Sequence, residues 1–145
     1  MSAGDYDDQN VFAKILRGEL PGERVYEDDD CIAIMDVMPQ GDGHTLVIPK
    51  AAARNILDID PQSLQAVILV VQRLARAVKK AFDAPGVAIM QFNEAESGQS
   101  VFHTHFHVIP RFEGVPLKPH SGGMADPAML AAHGEKIRSA LTEFQ

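Results

Sequence analysis

The sequence predicts an α+β domain built on a mainly antiparallel sheet, and three observations carry that reading. Short Val-, Ile- and Tyr-rich segments succeed one another across turns too short to hold a crossover helix. Two stretches opened by Asp-Pro pairs carry apolar residues at helical spacing. Across 145 residues, no repeat, low-complexity tract or linker divides the chain, so residues 1–145 read as one domain.

Each element has its own signal. Asn10 is a candidate N-cap for Val11 to Arg17, and Gly18 can end that short amphipathic helix in a left-handed conformation. Arg24 to Glu27 and Cys31 to Asp36 read as two strands of a hairpin, because Asp28-Asp29-Asp30 between them favours a turn. After the Gly-rich step Pro39 to Gly43, His44 to Ile48 reads as a strand that Pro49 terminates. Asp60-Pro61 opens the clearest helix; Leu64, Val67, Ile68, Val71, Leu74, Val78 and Phe82 keep its period, and Pro85-Gly86 stops it. Val87 to Asn93 reads as a strand, followed by the polar loop Glu94 to Ser100. Asp126-Pro127 repeats the helix start before Leu130, Ile137 and Leu141, with a weaker apolar stripe. The Gly- and Pro-rich stretch 112–125 reads as an ordered loop or arm.

Composition narrows the function. Asp and Glu outnumber Lys and Arg by 20 to 13. The resulting charge of −7 disfavours an extended nucleic-acid or anionic-membrane surface, although a local site can still hold a small phosphate ligand. Cys31 is the only cysteine, which excludes an intrachain disulfide and a cysteine-based zinc cluster. The acidic start Met1 to Asp8 lacks the features of a signal peptide, and no apolar run reaches membrane-spanning length. A cytoplasmic location is expected.

The chemistry concentrates at His103-Thr104-His105-Phe106-His107, which holds three of the six histidines at alternate positions. In a strand these would line one surface, with Phe102, Thr104, Phe106 and Val108 on the other. Three readings compete. A His-x-His pair can chelate zinc, with Glu94 or Glu96 as further ligands. The bland reading is a solvated or backbone-satisfied strand, which fits poorly because histidine is not a favoured strand former. The third is nucleophilic catalysis at phosphorus, in which one imidazole attacks and its neighbours fix its tautomer and protonate the leaving group.

Gly98 to Ile109 resembles the signature of the histidine-triad (HIT) nucleotide hydrolases and transferases, and is most similar to the nucleotide-binding, Hint-like branch. The likeness extends to Asn10 to Pro21, Glu27 to Asp36 and Gly43 to Lys50, so that it spans most of a core at 10–111, with a C-terminal loop and helix at 112–145. Thr104 departs from the pattern, standing where the family has an apolar residue. The resemblance implies a five-stranded antiparallel sheet with flanking helices, joined across a homodimer. It implies that His105 attacks an α-phosphate to give a nucleotidyl-histidine, and that His107 and Ser100 contact the phosphate or leaving group. His103 and His44 would form a relay orienting His105. Asp36 would take the ribose hydroxyls, Asn93 and Gln99 would join Ser100 at the phosphate, and Val11, Phe12, Ile15, Leu20, Ile34 and Val37 would form a base pocket. No metal or other cofactor is required in that scheme.

The activity so implied is hydrolysis of a purine nucleoside phosphoramidate or related adenylate conjugate, releasing AMP or GMP. Two alternatives stand beside it: a dinucleoside polyphosphate hydrolase of the same family, which Gln99 suits equally and which Lys118 to Gly123 could assist, and a nucleotide-binding regulatory or scaffold protein.

Overall fold

The computed structural model describes residues 5–120 and 123–144; the start of the acidic N-terminus at 1–4 and the Ser121-Gly122 step of the arm lie outside them. In chain order the elements are helix α1 (Val11–Leu16), strands β1 (Arg24–Glu27), β2 (Cys31–Met35) and β3 (Thr45–Pro49), helix α2 (Pro61–Ala81), strand β4 (Gly86–Met90), strand β5 (Phe106–Arg111) and helix α3 (Pro127–Leu141). A single 3₁₀ turn, Ala95–Ser97, sits in the loop between β4 and β5. The strands form one antiparallel sheet in the order β1-β2-β3-β5-β4. Among the described residues no helix is long and apolar enough to cross a membrane.

The helix starts follow the sequence signals. Asn10 accepts from the Ala13 amide, Asp60 from the Ser63 amide and Asp126 from the Ala128 amide, and proline opens both long helices.

The sheet is covered on both faces, which is why β2 and β3 are buried throughout. Cys31, Ala33, Met35, Val47, Phe106 and Val108 pack against Val67, Val71, Leu74 and Val78 of α2 and Ile137 of α3. Their alternates Ile32, Ile34, Leu46 and Ile48 meet Phe12 and Ile15 of α1. The α1 face is much less fully covered than the other, and that leaves room for a cavity. His107 pairs with Leu46 in the β3–β5 ladder, so its side chain falls on this face while Phe106 and Val108 fall on the other.

The structure corrects one expectation here. His103 and His105 precede β5 rather than lying within it. The ladder stops at Val47↔Phe106 because the chain bends to bond elsewhere: the Thr104 amide and hydroxyl both donate to the Ala53 carbonyl, at 2.9 and 3.1 Å. Thr104, the departure from the family pattern, is therefore fully buried and held through its hydroxyl. β4 likewise ends at Met90, opposite His107, while Gln91 and Asn93 turn to each other through paired amides at 2.8 Å.

Candidate active site

On the α1 face lies a cavity of about 800 Å³. Val11, Phe12 and Ile15 from α1 and Ile34 and Val37 from β2 and its exit form an apolar wall. Leu20 does not join it. It sits 38% exposed in the turn after α1, where Pro21 and Gly22 take its place in the wall. Opposite this wall stand His105, His107, Asp36 and Ser100.

Hydrogen-bond partners assign the tautomers of His44, His103, His105 and His107. A carbonyl can only accept, so the 2.7 Å contact of His105 Nδ1 with its own chain at His103 O places the proton on Nδ1 and leaves a bare lone pair on Nε2. His103 donates from Nε2 to the Pro49 carbonyl at 2.7 Å and accepts the Tyr6 hydroxyl proton at Nδ1, at 2.6 Å. Gln40 donates its amide proton to His44 Nδ1 at 3.0 Å, so His44 carries its own proton on Nε2 and gives it to His107 Nδ1 at 2.9 Å. His107 must then hold its proton on Nε2. The site offers one acceptor, His105 Nε2, beside one donor, His107 Nε2–H, with ring centroids 5.1 Å apart.

This arrangement revises the relay. His44 does not pair with His103 to orient His105; it contacts His107, and the His103 backbone orients His105. The reason is the bend at Thr104, which turns the His103 ring away to Pro49 and Tyr6. Gln99 is also reassigned. Its amide accepts from Asn55 and the Glu94 amide and donates to the Arg54 and Val101 carbonyls, so its side chain builds the loop and has nothing left for phosphate. Asn93 lies outside the cavity wall and accepts from the Ile56 amide at 2.9 Å. Ser100 lines the cavity and is exposed.

Asp36 is 3% exposed. Its Oδ1 accepts from the Met38 amide and its Oδ2 from His120 Nε2, both at 2.9 Å, with His44 Nε2 at 3.4 Å from Oδ2. His120, Gln40 and Tyr6 thus join the site; the sequence reading named only the Lys118 to Gly123 stretch around His120, as a contact for a longer polyphosphate, and did not single out Gln40 or Tyr6. His120 sits in a Gly-Pro stretch without periodicity and Tyr6 in a solvated acidic one; only distance in space brings them in.

Asp36, His44 and His107 place their ligand atoms within 4.8 Å of one another, a spacing that suits a cation. The donor set does not fit. With Gln40 donating to Nδ1, His44 Nε2 bears a proton rather than a lone pair, and a metal would need both rearranged. The His103 and His105 chelate fares no better, since both His103 nitrogens are bonded, while Glu94 is held by Arg54 and Asn55.

Burial keeps these imidazoles neutral. Loss of water, reinforced by the neighbouring imidazoles, pushes His44 and His107 down to about 3. Desolvation also lowers His103 and His105, opposed by their backbone carbonyl partners. Histidines depressed in the folded state bind protons mainly in the unfolded one, so stability is full above the unfolded value of 6.5 and falls as pH drops below it. Between pH 7 and pH 5 the His44 and His107 pair accounts for a loss of about 4 kcal/mol, at about 1.4 kcal/mol per proton and pH unit. Urea unfolding at the two pH values reads this directly, and equal stabilities would contradict buried neutral histidines.

Known proteins share this architecture. The HIT domain model matches residues 17–114. A crystal structure of a Hit-like protein from Bartonella henselae is 56% identical, covers 93% of this chain and 98% of its own, and superposes with a TM-score of 0.90. A HIT-like protein of Borreliella burgdorferi is 43% identical over 105 residues, 71% of this chain and 76% of its own. The adenylylsulfatase HINT3 of Arabidopsis thaliana is 40% identical over 103 residues, 71% of this chain and 52% of its own. A bare His105 nitrogen beside a donor His107, on a sheet shared with these proteins, agrees with what the family model matches: the chain belongs to the HIT domain family.

Proposed function

We propose that the protein is a nucleotide hydrolase that cleaves a purine nucleoside phosphoramidate or related adenylate conjugate at its α-phosphate, through a nucleotidyl intermediate on His105. One observation carries this reading: His105 Nε2 is an unprotonated nitrogen facing a cavity with an apolar wall, its tautomer set by the 2.7 Å bond to the His103 carbonyl. The purine lies against the apolar wall that Val11, Phe12, Ile15 and Ile34 form. Met38 and His120 leave Asp36 Oδ1 with a spare lone pair, which accepts a ribose hydroxyl; engagement of both hydroxyls needs Oδ2 as well.

In the first step His105 Nε2 forms a bond to phosphorus, the bond from phosphorus to the leaving atom breaks, and His107 Nε2–H protonates that atom. Positive charge arising on His105 is stabilised by Nδ1–H donating to His103 O. Ser100 donates to a phosphate oxygen. In the second step water attacks phosphorus, gives a proton to His107 Nε2, and releases the nucleoside monophosphate with His105 restored. A relative named as an adenylylsulfatase supports a nucleotidyl substrate with a good leaving group.

A panel of adenosine and guanosine phosphoramidates, acyl-adenylates and diadenosine polyphosphates tests the substrate class. Fastest turnover is expected on the mononucleotide conjugates. A preference for dinucleoside polyphosphates would move the protein to the other branch, and binding without turnover would favour a regulatory role.

The same reading includes a homodimer. β4 is one of the sheet's two outer strands, with Ile89 43% exposed, and α2 leaves Leu69 64% exposed. A free edge with apolar side chains is a pairing surface. Light scattering is expected to give twice 15.8 kDa, and Ile89→Asp to shift the protein toward monomer. A monomeric wild type would contradict this.

A further inference from the structure

We propose that His120, carried by the arm after β5, sets the sugar preference of the site: by holding one oxygen of Asp36 it limits the nucleotide to a single hydrogen bond between ribose and carboxylate, so that the protein accepts nucleotides lacking one of the two ribose hydroxyls. The inference rests on the reading above in which Asp36 takes the sugar, and deepens it.

A carboxylate with both oxygens open accepts both vicinal hydroxyl protons of a ribose at once, and removal of either hydroxyl then loses a bond to a charge. Asp36 is not open in that way. Its Oδ2 accepts from His120 Nε2 at 2.9 Å, and the fully buried His44 ring stands against the same oxygen, with Nε2 3.4 Å away and its proton committed to His107. Because a carboxylate only accepts, the His120 contact places a proton on Nε2 whatever charge the ring carries. Oδ1 gives one lone pair to the Met38 amide and keeps the other. The Asp36 side chain is 4% exposed, while that of His120 is 40% exposed, and both line the cavity that holds His105 and Ser100. A second hydroxyl bound for Oδ2 therefore meets His120.

The arm holds the imidazole there. On one side of His120 the Lys118 amide donates to the Gln40 carbonyl at 2.8 Å, and the Gln40 side chain donates to the Lys118 carbonyl at 3.3 Å. On the other side the Ala125 amide donates to the Val37 carbonyl at 2.9 Å. Val37 and Gln40 belong to the turn that follows Asp36, the turn whose Met38 amide is the Oδ1 partner. The sugar ligand and the residue that blocks it are thus tied to one short piece of chain. A ribose that claimed Oδ2 would break the bond from His120 and gain one of like kind, an exchange with little driving force.

Sugar-edited nucleotides test this. Affinity for AMP, 2′-deoxy-AMP, 3′-deoxy-AMP and 2′,3′-dideoxy-AMP is measured by titration calorimetry, and kcat/KM for the four corresponding 5′-alkylphosphoramidates, in wild type, His120→Ala and His120→Gln. In wild type at least one monodeoxy nucleotide is expected within ~3-fold of the riboside, and the dideoxy nucleotide at least ~10-fold below it. His120→Ala frees Oδ2, so both monodeoxy nucleotides are expected to fall at least ~10-fold below the riboside in that variant. A glutamine amide can still donate to Oδ2, and His120→Gln is expected to keep the wild-type tolerance. Each comparison is a ratio within one protein, which a merely loosened arm would leave unchanged. Both monodeoxy nucleotides falling ~10-fold below the riboside in wild type, or equal ratios in wild type and His120→Ala, would overturn the inference. So would a dideoxy nucleotide bound as well as AMP, which would remove Asp36 from the sugar. The expected affinities with no turnover of any phosphoramidate would overturn the hydrolase reading alone, and wild-type protein that neither binds AMP nor turns over a phosphoramidate would overturn both.

Discussion

His105→Ala is expected to lower turnover by at least ~10⁴-fold, the scale seen when a covalent nucleophile is removed from a working unit. No neighbour can replace it. His103 has both nitrogens bonded, to Tyr6 and Pro49, and His107 presents a proton rather than a lone pair to the cavity. The Phe12 ring, which meets His105 edge-on at 4.8 Å, lines the apolar wall of the cavity and stays. Nucleotide binding is therefore expected to persist, so that titration calorimetry with AMP still detects it while kcat is lost. Near-normal turnover in this variant would remove His105 from the mechanism.

Gly43→Ala is expected to destabilise the fold by about 3 kcal/mol, from left-handed strain of about 1–2 kcal/mol and crowding of about 1–3 kcal/mol. Gly43 has φ +81°, and an added Cβ would stand 2.6 Å from Phe82 Cε2 and 2.9 Å from Pro110 Cγ. Phe82 ends α2 and Pro110 lies within β5, so neither can withdraw without moving a packed element. The residue also leads directly into His44, and the Gly43 carbonyl accepts from the Thr45 hydroxyl at 2.9 Å at the start of β3. A lower urea midpoint with unchanged m is the expected result. A change below ~0.5 kcal/mol would show that the turn tolerates a side chain, contrary to the overpacking argument.

The fold was largely legible because its cues are local. Asp60-Pro61 and Asp126-Pro127 mark helix starts by capping chemistry that acts within one turn, and the three aspartates 28–30 mark a hairpin. The strand ends were less legible. Nothing local says that Thr104 bonds to Ala53 instead of continuing a ladder, because Ala53 lies 51 positions earlier.

The same limit explains the site. His105 and His107 were readable from their motif, and the apolar wall from the family pattern, Leu20 excepted. Gln99 and Asn93 look like phosphate ligands in sequence because polar loop residues resemble one another there; the partners that occupy Gln99, Arg54 and Asn55 among them, are far along the chain. His120, inside the Lys118 to Gly123 stretch read as a possible polyphosphate contact, was not legible as a partner of Asp36 for the same reason. Its partner Asp36 is 84 positions away, and its arm carries no periodicity.

The central claim is a covalent nucleotide on His105, and intact mass spectrometry after an acid-free quench tests it most directly. Wild-type protein mixed with an adenosine phosphoramidate should gain the mass of one adenylyl group, localised to His105 by peptide mapping, and His105→Ala should gain none. Substrate turnover with no adduct, or an adduct on any other residue, would contradict the mechanism derived from this site.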